Sequence, residues 1–474
     1  MAENGNYVAT FPLKTEIWQE HILEKRFRLC EKVYNALNHR MYSRYFELAK
    51  TKNFRDDTKR LSDLYKVIHD NKADKEVIAK AKKEHQEILK KRKALYKENG
   101  FSKYSFYHEI IDLYEPYKEN IDSYLSRGLA DNLWRGFESL LYKNGKKTRY
   151  KRKGSMHSVY FMNDKGTHIV QEKRMFKWKQ LLIPIVIDEK NPFLVQSFDQ
   201  PILNTRLLRE AGKHGRNKYY VQLCYSGLPP ARISKKTGEF TRKLGKGKVG
   251  LFIEPTQITV VSDTIAFTSS LAPRQLDFEE KIVDLTTKME RSRRATNPDN
   301  YNEDGTIKKQ GPRKVYWIRS KQYIKYQRTL KYLHRKEADV RKYDQECLAN
   351  AIMCLGDTFV INKIESKQIQ MEDGGKTIHN YAPSNFVRIL TRKVGYFNGV
   401  VQEIEQESFD PTTYNHITGE FVPTQRYRKI QDISLPVRYY AAFLLQHYEN
   451  KDVDLKGCEI DFNKFISNLL SSSN

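Results

Sequence analysis

Apolar residues recur at helical spacing through the first third of the chain. Residues 8–15 predict a short strand, and a long helix follows, because apolar side chains return every three or four positions. This apolar face is formed by Leu23, Phe27, Cys30, Tyr34, Leu37 and Met41. The densely charged residues 71–99 predict either a solvated helical hairpin or a face that lies along nucleic acid. Amphipathic patterns near 106–113 and 121–141 complete a predicted helical block.

Short apolar runs separated by glycine, proline and charged turns replace this pattern between residues 159 and 244, and predict a small barrel-like β domain. Three closely spaced runs at 249–253, 258–262 and 264–267 then predict an antiparallel meander. Long helical patterns, a buried strand at 358–364 and a late helix follow. This is the element order of an RNase H-like domain, and the predicted fold class is a multidomain α+β protein.

The charge balance narrows the class of partner. The 474 residues include 84 Lys and Arg against 58 Asp and Glu, which gives a formal net charge of +26. Such an excess destabilises a compact chain unless a polyanion neutralises it. Nucleic acid is therefore the expected partner, and an anionic membrane surface is the weaker alternative.

The densest basic run occupies residues 146–153, between the predicted helical block and the β domain. Six of these eight residues are cationic: Lys146, Lys147, Arg149, Lys151, Arg152 and Lys153. A run of this kind is either a solvated loop or a phosphate-binding segment. Its position in a strongly basic protein favours phosphate contact.

The chain shows no pattern of a membrane span, a signal peptide or a cysteine metal site. No segment approaches the roughly 18 consecutive apolar residues that a membrane helix requires, so we expect a cytoplasmic protein with no membrane partner. The five cysteines contain no Cys-x-x-Cys pair, which predicts reduced thiols and no zinc.

Several ordered motifs resemble the TnpB family, the RNA-guided nucleases carried by insertion-sequence transposons. The motifs are Glu-Arg-Ser-Arg-Arg-Ala-Thr-Asn-Pro-Asp-Asn at 290–300, Trp317, Ser-Lys-Gln-Tyr at 320–323, Leu-Ala-Asn at 348–350, Leu-Gly-Asp at 355–357, Tyr-Ala-Pro-Ser-Asn-Phe at 381–386 and Tyr-Asn-His-Ile-Thr-Gly at 414–419. The resemblance runs over nearly the whole chain.

The resemblance implies a helical recognition domain inserted near the start of a β-barrel wedge domain, followed by a RuvC-like nuclease domain. The predicted boundaries are 1–15 for the first wedge strand, 16–145 for the recognition domain, 146–247 for the wedge domain and 248–474 for the RuvC-like domain. The implied partners are a guide RNA and double-stranded target DNA with a short flanking motif. Besides the basic run, the predicted nucleic-acid contacts are Arg291, Arg293, Arg294, Asn297, Trp317, Lys321 and Tyr323. Trp317 and Tyr323 fit a packing role equally well.

The three carboxylates that active relatives use to hold two Mg²⁺ ions are replaced in this chain. The resemblance places Phe252, Asn362 and Arg438 at those positions. An apolar ring, a neutral amide and a cation cannot balance the four positive charges of the two ions. We therefore expect no catalytic magnesium and no enzyme activity, as in the nuclease-dead TnpB-like repressors called TldR.

Two alternatives remain open from the sequence. A residual nuclease could use nearby carboxylates, namely Glu254, Asp263, Glu365 or Asp432, of which Glu254 shares a strand face with Phe252. The second alternative is a non-guided RNA-binding protein that assists transposition. The favoured hypothesis is an RNA-guided, nuclease-inactive DNA-binding protein that represses transcription by occluding a promoter.

Overall fold

The computed structural model describes residues 6–70, 74–143, 145–212, 215–230, 243–308, 315–364, 375–423, 426–430, 433–450 and 452–471. The chain divides into two compact units. The first contains residues 6–210 and 217–229, and the second contains residues 230–474 together with 1–5 and 211–216. The fold is a mixed α+β arrangement, as the sequence predicts.

The helices of the first unit are α1 (Ile17–Lys50), α2 (Lys52–Ile68), α3 (Lys75–Glu98), α4 (Lys103–Glu109), α5 (Ile111–Tyr114), α6 (Ser123–Tyr142) and α7 (Pro192–Phe198). The predicted apolar face of α1 is buried, with Leu23, Cys30, Leu37 and Met41 fully enclosed. Gly128 of α6 lies against β2 (Ser158–Phe161), where a Cβ atom would come within 1.8 Å of the Tyr160 carbonyl oxygen. This close approach requires glycine, because any side chain would push the helix off the strand.

The other strands of the first unit are β1 (Asn6–Pro12), β3 (Ile169–Val170), β4 (Met175–Trp178), β5 (Leu181–Pro184), β6 (Ile202–Ala211) and β7 (Asn217–Ser226). They form a four-stranded sheet in the order β1-β7-β6-β2 and a three-stranded sheet in the order β3-β4-β5. A bridge between Leu13 and Ile185 links β1 to the end of β5. The strands assigned in the described residues of the first unit thus form two sheets, and the predicted closed barrel is not among them.

One hydrophobic core serves both the helices and the sheets of this unit. It includes Phe27 and Leu37 of α1, Phe137 of α6, Trp178 of β4 and Val221 of β7. Alternate residues of β1 face this core, in the period-2 pattern of a strand with one buried face. The boundary between a recognition domain and a wedge domain at residues 145 and 146 stays a prediction.

The second unit is built on a five-stranded sheet with the order β10-β9-β8-β11-β12. Its strands are β8 (Lys248–Ile253), β9 (Gln257–Val261), β10 (Ala266–Ser270), β11 (Thr358–Asn362) and β12 (Val400–Ile404). The first three form the predicted antiparallel meander, and β11 pairs in parallel with both β8 and β12. The predicted buried strand is confirmed, since Phe359, Val360 and Ile361 are fully buried.

Helices of the second unit are α8 (Leu276–Thr296), α9 (Lys321–Met353), α10 (Lys376–Tyr381), α11 (Pro383–Gly395), α12 (Val437–Gln446) and α13 (Leu455–Ser471). The remaining strands form the short pairs β13 (Tyr414–Asn415) with β14 (Glu420–Phe421), β15 (Tyr427–Ile430) with β16 (Ile433–Pro436), and β17 (Tyr448–Glu449) with β18 (Asp452–Val453). None of the helices described is long and apolar enough to cross a membrane.

The two faces of the five-stranded sheet pack against different helices. Val249, Leu251 and Ile253 of β8 join a core with residues of α9 and α11. The alternate residues Gly250 and Phe252 face the core that contains α12 and α13. A Cβ atom on Gly250 would lie 1.8 Å from the carbonyl oxygen of Ala442, so glycine at this position lets α12 lie directly on β8.

Candidate functional site: a strand edge and basic surfaces

Phe252 lies near the carboxyl end of β8 and contributes to the packing of the second unit. It pairs with Thr259 of β9. Its ring is partly buried against the apolar core that includes Val360 and Tyr440. The side chain supplies no ligand for a cation at this position.

Asn362 connects the ends of two parallel strands. Its Nδ2 donates to the Ile253 carbonyl oxygen at 3.0 Å, and its Oδ1 accepts from the Ile253 backbone N–H at 2.6 Å. The carboxamide thereby imitates a backbone peptide and extends the β8–β11 pairing by one step. An aspartate could accept the N–H, but its second oxygen would face the Ile253 carbonyl with no proton to donate.

Arg438 occupies the first turn of α12 and approaches the hairpin that follows β8. Its Nη1 lies 3.8 Å from Glu254 Oε2, which also accepts from Gln257 Nε2 at 2.7 Å. The Arg438 and Glu254 side chains are each about one-third exposed, at 32% and 30%. A cleft of about 140 Å³ beside this pair is lined by Thr268, Arg426, Tyr427, Pro436, Arg438 and Tyr439. Two arginines make this cleft suitable for an anion rather than for a metal ion.

The three predicted positions therefore gather at one edge of the sheet, around the carboxyl end of β8. Asn362 contacts Ile253, and Arg438 reaches Glu254, on either side of the strand end that carries Phe252. At this edge Glu254 has the Arg438 guanidinium beside it, and Glu405, directly after β12, pairs with Lys363. This donor set does not fit two divalent ions, because each needs several oxygen ligands.

The other candidate carboxylates do not add to this set. Asp263 lies at the opposite end of β8, where its Oδ1 accepts from Gln446 Nε2 at 2.6 Å, and that amide also donates to the Lys248 carbonyl oxygen. It cannot share a metal ion with the residues at the carboxyl end of the strand. Glu365 and Asp432 fall outside the described residues.

The basic run at 146–153, here called the basic strap, is fixed along helix α1. Thr148 Oγ1 donates to Asn38 Oδ1 at 2.7 Å, and the Gly154 N–H donates to Glu31 Oε2 at 2.9 Å. Between these contacts, Asn35 accepts from the Lys151 N–H at 2.8 Å and donates to the Lys151 carbonyl oxygen at 2.9 Å. Residues 31, 35 and 38 are three and four positions apart, so they share one face of the helix. The strap is thus held along α1 at three points and is not a loose loop.

Fixing the backbone leaves the cations of the strap turned outward. Lys146, Lys147, Arg149, Arg152 and Lys153 are exposed. Lys151 is half-buried, with its ammonium 5.2 Å from the centroid of the Tyr34 ring. A row of fixed exposed cations is the arrangement that binds a phosphate backbone with little ordering cost.

The other predicted nucleic-acid contacts, from Arg291 to Tyr323, lie in the second unit, between the end of α8 and the start of α9. Asn297 is only 6% exposed, and its amide donates to Arg293 and Ile318 carbonyls and accepts from the Ile318 N–H at 2.7 Å. Its side chain therefore closes the loop between the helices. A contact with nucleic acid through this amide would require breaking these bonds.

The arginines of this cluster are mostly engaged. Arg293 pairs with Glu290, donates to Tyr301 Oη at 2.9 Å and lies 4.8 Å from the Trp317 ring centroid. Arg294 also bonds Glu290 at 3.1 Å. These contacts give Trp317 a packing role, while Arg291 and Lys321 are exposed and Tyr323 is half-buried.

One exposed aromatic residue in this region was missed by the sequence reasoning. Tyr316 is 81% exposed, directly before the packed Trp317, while its backbone oxygen is held by Asn300 Nδ2 at 2.8 Å. A fixed backbone with an exposed ring suits base stacking. The neighbouring Arg319 and Lys321 were a usable signal, because aromatic residues interleaved with cations are typical of single-strand binding.

Comparisons with known proteins give distant structural likenesses. No protein-family model and no curated protein matches the chain. The chain is similar to a cryo-EM structure of a Cas12f1–sgRNA–target DNA complex, with 10% identity over 88% of this chain and 92% of that chain, at a TM-score of 0.38. It is also similar to a CRISPR-Cas12f ternary complex, with 11% identity over 92% of this chain and 83% of that chain, at a TM-score of 0.28. Both TM-scores are below 0.5, so the functional conclusions below rest on the residues and strand order of this chain.

Proposed function

We propose that this protein uses a guide RNA to bind matched DNA, does not cut it, and represses transcription by occupying a promoter. The observation that carries the proposal is the structural use of all three substituted positions. Phe252 packs into a core, Asn362 closes a strand pair and Arg438 faces Glu254. Each position has a structural contact that a metal-binding carboxylate would remove or oppose.

The strand order supports a RuvC-like assignment for the second unit. The strand order is β10-β9-β8-β11-β12. The first three strands in the sequence, β8 to β10, are antiparallel, and β11 then pairs in parallel with β8 on one side and β12 on the other. This is the arrangement expected of an RNase H-like domain, where the carboxyl end of the first strand marks the catalytic edge. The substituted residues lie at that edge, which favours descent from a nuclease of the TnpB kind, with the TldR repressors as the matching subtype.

The basic surfaces support binding to nucleic acid. The net charge of +26 and the outward cations of the basic strap favour a phosphate backbone as partner. Backbone contacts of this kind carry no sequence information. A guide RNA paired with one DNA strand would supply the sequence recognition, and the protein would read shape and a short flanking motif.

Sequencing the RNA that copurifies with the protein from cells tests the guidance. We expect one discrete RNA species whose variable end matches a promoter, and specific retention of DNA that carries the match. A heterogeneous RNA pool with no matched DNA binding would instead establish the non-guided RNA-binding protein and overturn guidance.

One observation favours the alternative of a residual nuclease. Glu254 lies at the same edge as the substituted positions, and its carboxylate is about one-third exposed. A nuclease that depends on this residue would lose activity on Glu254→Ala. The Arg438 guanidinium at 3.8 Å weighs against this alternative, because it repels a divalent cation at that carboxylate.

A further inference from the structure

Three metal-binding side chains converge in the second unit, away from the substituted edge. His334 and Glu337 lie on α9, and His379 lies on α10. One potential ligand atom from each residue lies within 4.8 Å of the other two. The His334 and Glu337 side chains share a helix face because they are three positions apart. No cysteine takes part, which is why the cysteine spacing gave no signal for this cluster.

The donor set is that of a zinc-class metal. Two imidazoles and one carboxylate are a common set for Zn²⁺, with metal–ligand bonds of about 2.0–2.2 Å. Two tetrahedral ligands at such distances lie roughly 3.3 Å apart. The distance between His334 Nδ1 and Glu337 Oε2 is 3.1 Å, which suits ligands of one ion. His379 is exposed, and one of its ring nitrogens lies within 4.8 Å of the ligand atoms of both other residues.

The carboxylate is buried and held in place from behind. Glu337 is only 5% exposed, and its Oε1 accepts from Gln275 Nε2, which leaves Oε2 directed at His334. Gln275 Oε1 is itself buried with no hydrogen-bond donor in the described structure, so this amide is held through Glu337. A second hydrogen bond that orients a ligating carboxylate is typical of metal sites. A buried carboxylate also favours a cation beside it, because its charge is poorly solvated.

Arg341 sets the position of the third ligand. Its Nη1 donates to the His379 carbonyl oxygen at 2.5 Å and to the Asn380 carbonyl oxygen at 3.3 Å. The end of α10 is thereby fixed next to α9. The guanidinium is a nearby positive charge that lowers the affinity for a dication, so a metal with strong bonds to imidazole is required.

We propose that His334, Glu337 and His379 bind one zinc-class divalent metal ion that fastens α10 to α9. The 45% exposed His334 side chain and the exposed His379 leave the fourth coordination position to water. The role is structural, at a site independent of guide RNA and DNA. The ion would stabilise the segment that follows β11.

Titration of the full-length, metal-free protein with Co²⁺ tests the site through the visible absorption of a four-coordinate cobalt ion. We expect one equivalent to bind, Zn²⁺ to displace it, and His379→Asn or His334→Asn to weaken binding at least about 100-fold. Both histidines are exposed, so these variants should keep the fold, which circular dichroism verifies. His21→Asn, at an exposed histidine on α1, is the matched control and should bind like wild type.

Two results would overturn this site. One is the absence of a cobalt spectrum in the wild-type protein at a several-fold molar excess of the ion. The other is a spectrum that persists in the His334→Asn/His379→Asn double variant, since the ion would then bind elsewhere. Neither outcome depends on RNA binding, so the proposed function is tested separately.

Discussion

Asparagine has the same structural role at three distant places in the described chain. Asn35, Asn297 and Asn362 each accept a hydrogen bond from a backbone N–H and donate one to the carbonyl oxygen of the same residue, which is Lys151, Ile318 and Ile253 respectively. Only a carboxamide provides a donor and an acceptor side by side in this geometry. The paired hydrogen bonds to Ile253 explain the asparagine at position 362 more directly than the loss of a catalytic carboxylate does.

Replacing Asn362 with aspartate should destabilise the second unit. The carboxylate cannot donate to the Ile253 carbonyl oxygen, which leaves two acceptors facing each other at the strand end. We expect a loss of about 1–3 kcal/mol in the free energy of unfolding, measured by denaturant titration. Asn463→Asp makes the same chemical change at an exposed position on α13 and should cost less than about 0.5 kcal/mol.

An equal effect of the two substitutions would contradict the strand-closing role of Asn362. Restoring carboxylates at positions 252, 362 and 438 also requires a new partner for Ile253. We therefore expect the triple restored variant to be less stable than the wild type.

His168 makes the stability of the first unit depend on pH. Burial lowers the pKa of this imidazole, but hydrogen bonds to Asp122 and Asp164, both 3.1 Å long, outweigh burial and raise the pKa above its ordinary value. The stabilisation by the charged imidazole is therefore complete below pH 6.5, the ordinary histidine pKa, and is lost as the pH rises through the higher folded value.

The melting temperature should report this dependence. We expect His168→Gln to lower the melting temperature more at pH 6 than at pH 9, because only the wild type loses the charged contact as pH rises. Lys179 and Arg26 also interact electrostatically with Asp122, and both are unchanged in the variant. His108→Gln, at an exposed position, is the control and should show the same small difference at both pH values. A His168→Gln deficit that grows toward pH 9 would contradict this sign.

At the scale of elements, the basic strap and the five-stranded sheet differ in how far the sequence predicts them. The meander of β8, β9 and β10 follows from short apolar runs and tight turns, which are local signals. The path of the strap depends on Asn35 meeting Lys151, residues 116 positions apart. Such a long-range pairing leaves no local signal in the sequence. The composition therefore indicates the charge of the segment but not its path. The same limit applies to the His334, Glu337 and His379 cluster, where α9 and α10 meet only in the folded chain.

Loosening the strap without changing its charge should weaken nucleic-acid binding. Asn35→Ala removes both hydrogen bonds to Lys151 and leaves every cation in place. Ordering the freed segment on binding costs about 1 kcal/mol, or roughly five-fold in affinity. Fluorescence anisotropy with a single-stranded RNA measures the change. Asn53→Ala on α2, at an exposed position, is the control, and unchanged affinity in Asn35→Ala would show that the strap needs no fixing.

Removing the charge of the strap should also reduce the salt dependence of binding. Substituting serine for the five exposed cations of the strap should lower the slope of log affinity against log salt by about 1 for each lost phosphate contact. The matched variant replaces Lys80, Lys82, Lys83, Lys90 and Lys93, which are exposed on α3 in the same unit. Equal losses in the two variants would show that net charge alone drives binding, and that the strap has no special part.

At the scale of the whole molecule, the two units carry separable parts of the proposed activity. The first presents a fixed row of cations, and the second contains a five-stranded sheet whose edge carries Phe252, Asn362 and the Arg438–Glu254 pair. Occlusion of a promoter requires a long-lived complex and intact DNA. A protein that binds polyanions and holds no catalytic metal ions, as proposed here, would meet both requirements.

Incubating the purified ribonucleoprotein with matched DNA, its flanking motif and Mg²⁺ or Mn²⁺ tests the central claim most directly. Bound and cleaved DNA are measured in the same reaction, with mismatched DNA as the control. We predict stable retention of the matched DNA with no cleavage above background, in both the wild type and Glu254→Ala. Metal-dependent cleavage that disappears in Glu254→Ala would contradict the account and establish a nuclease.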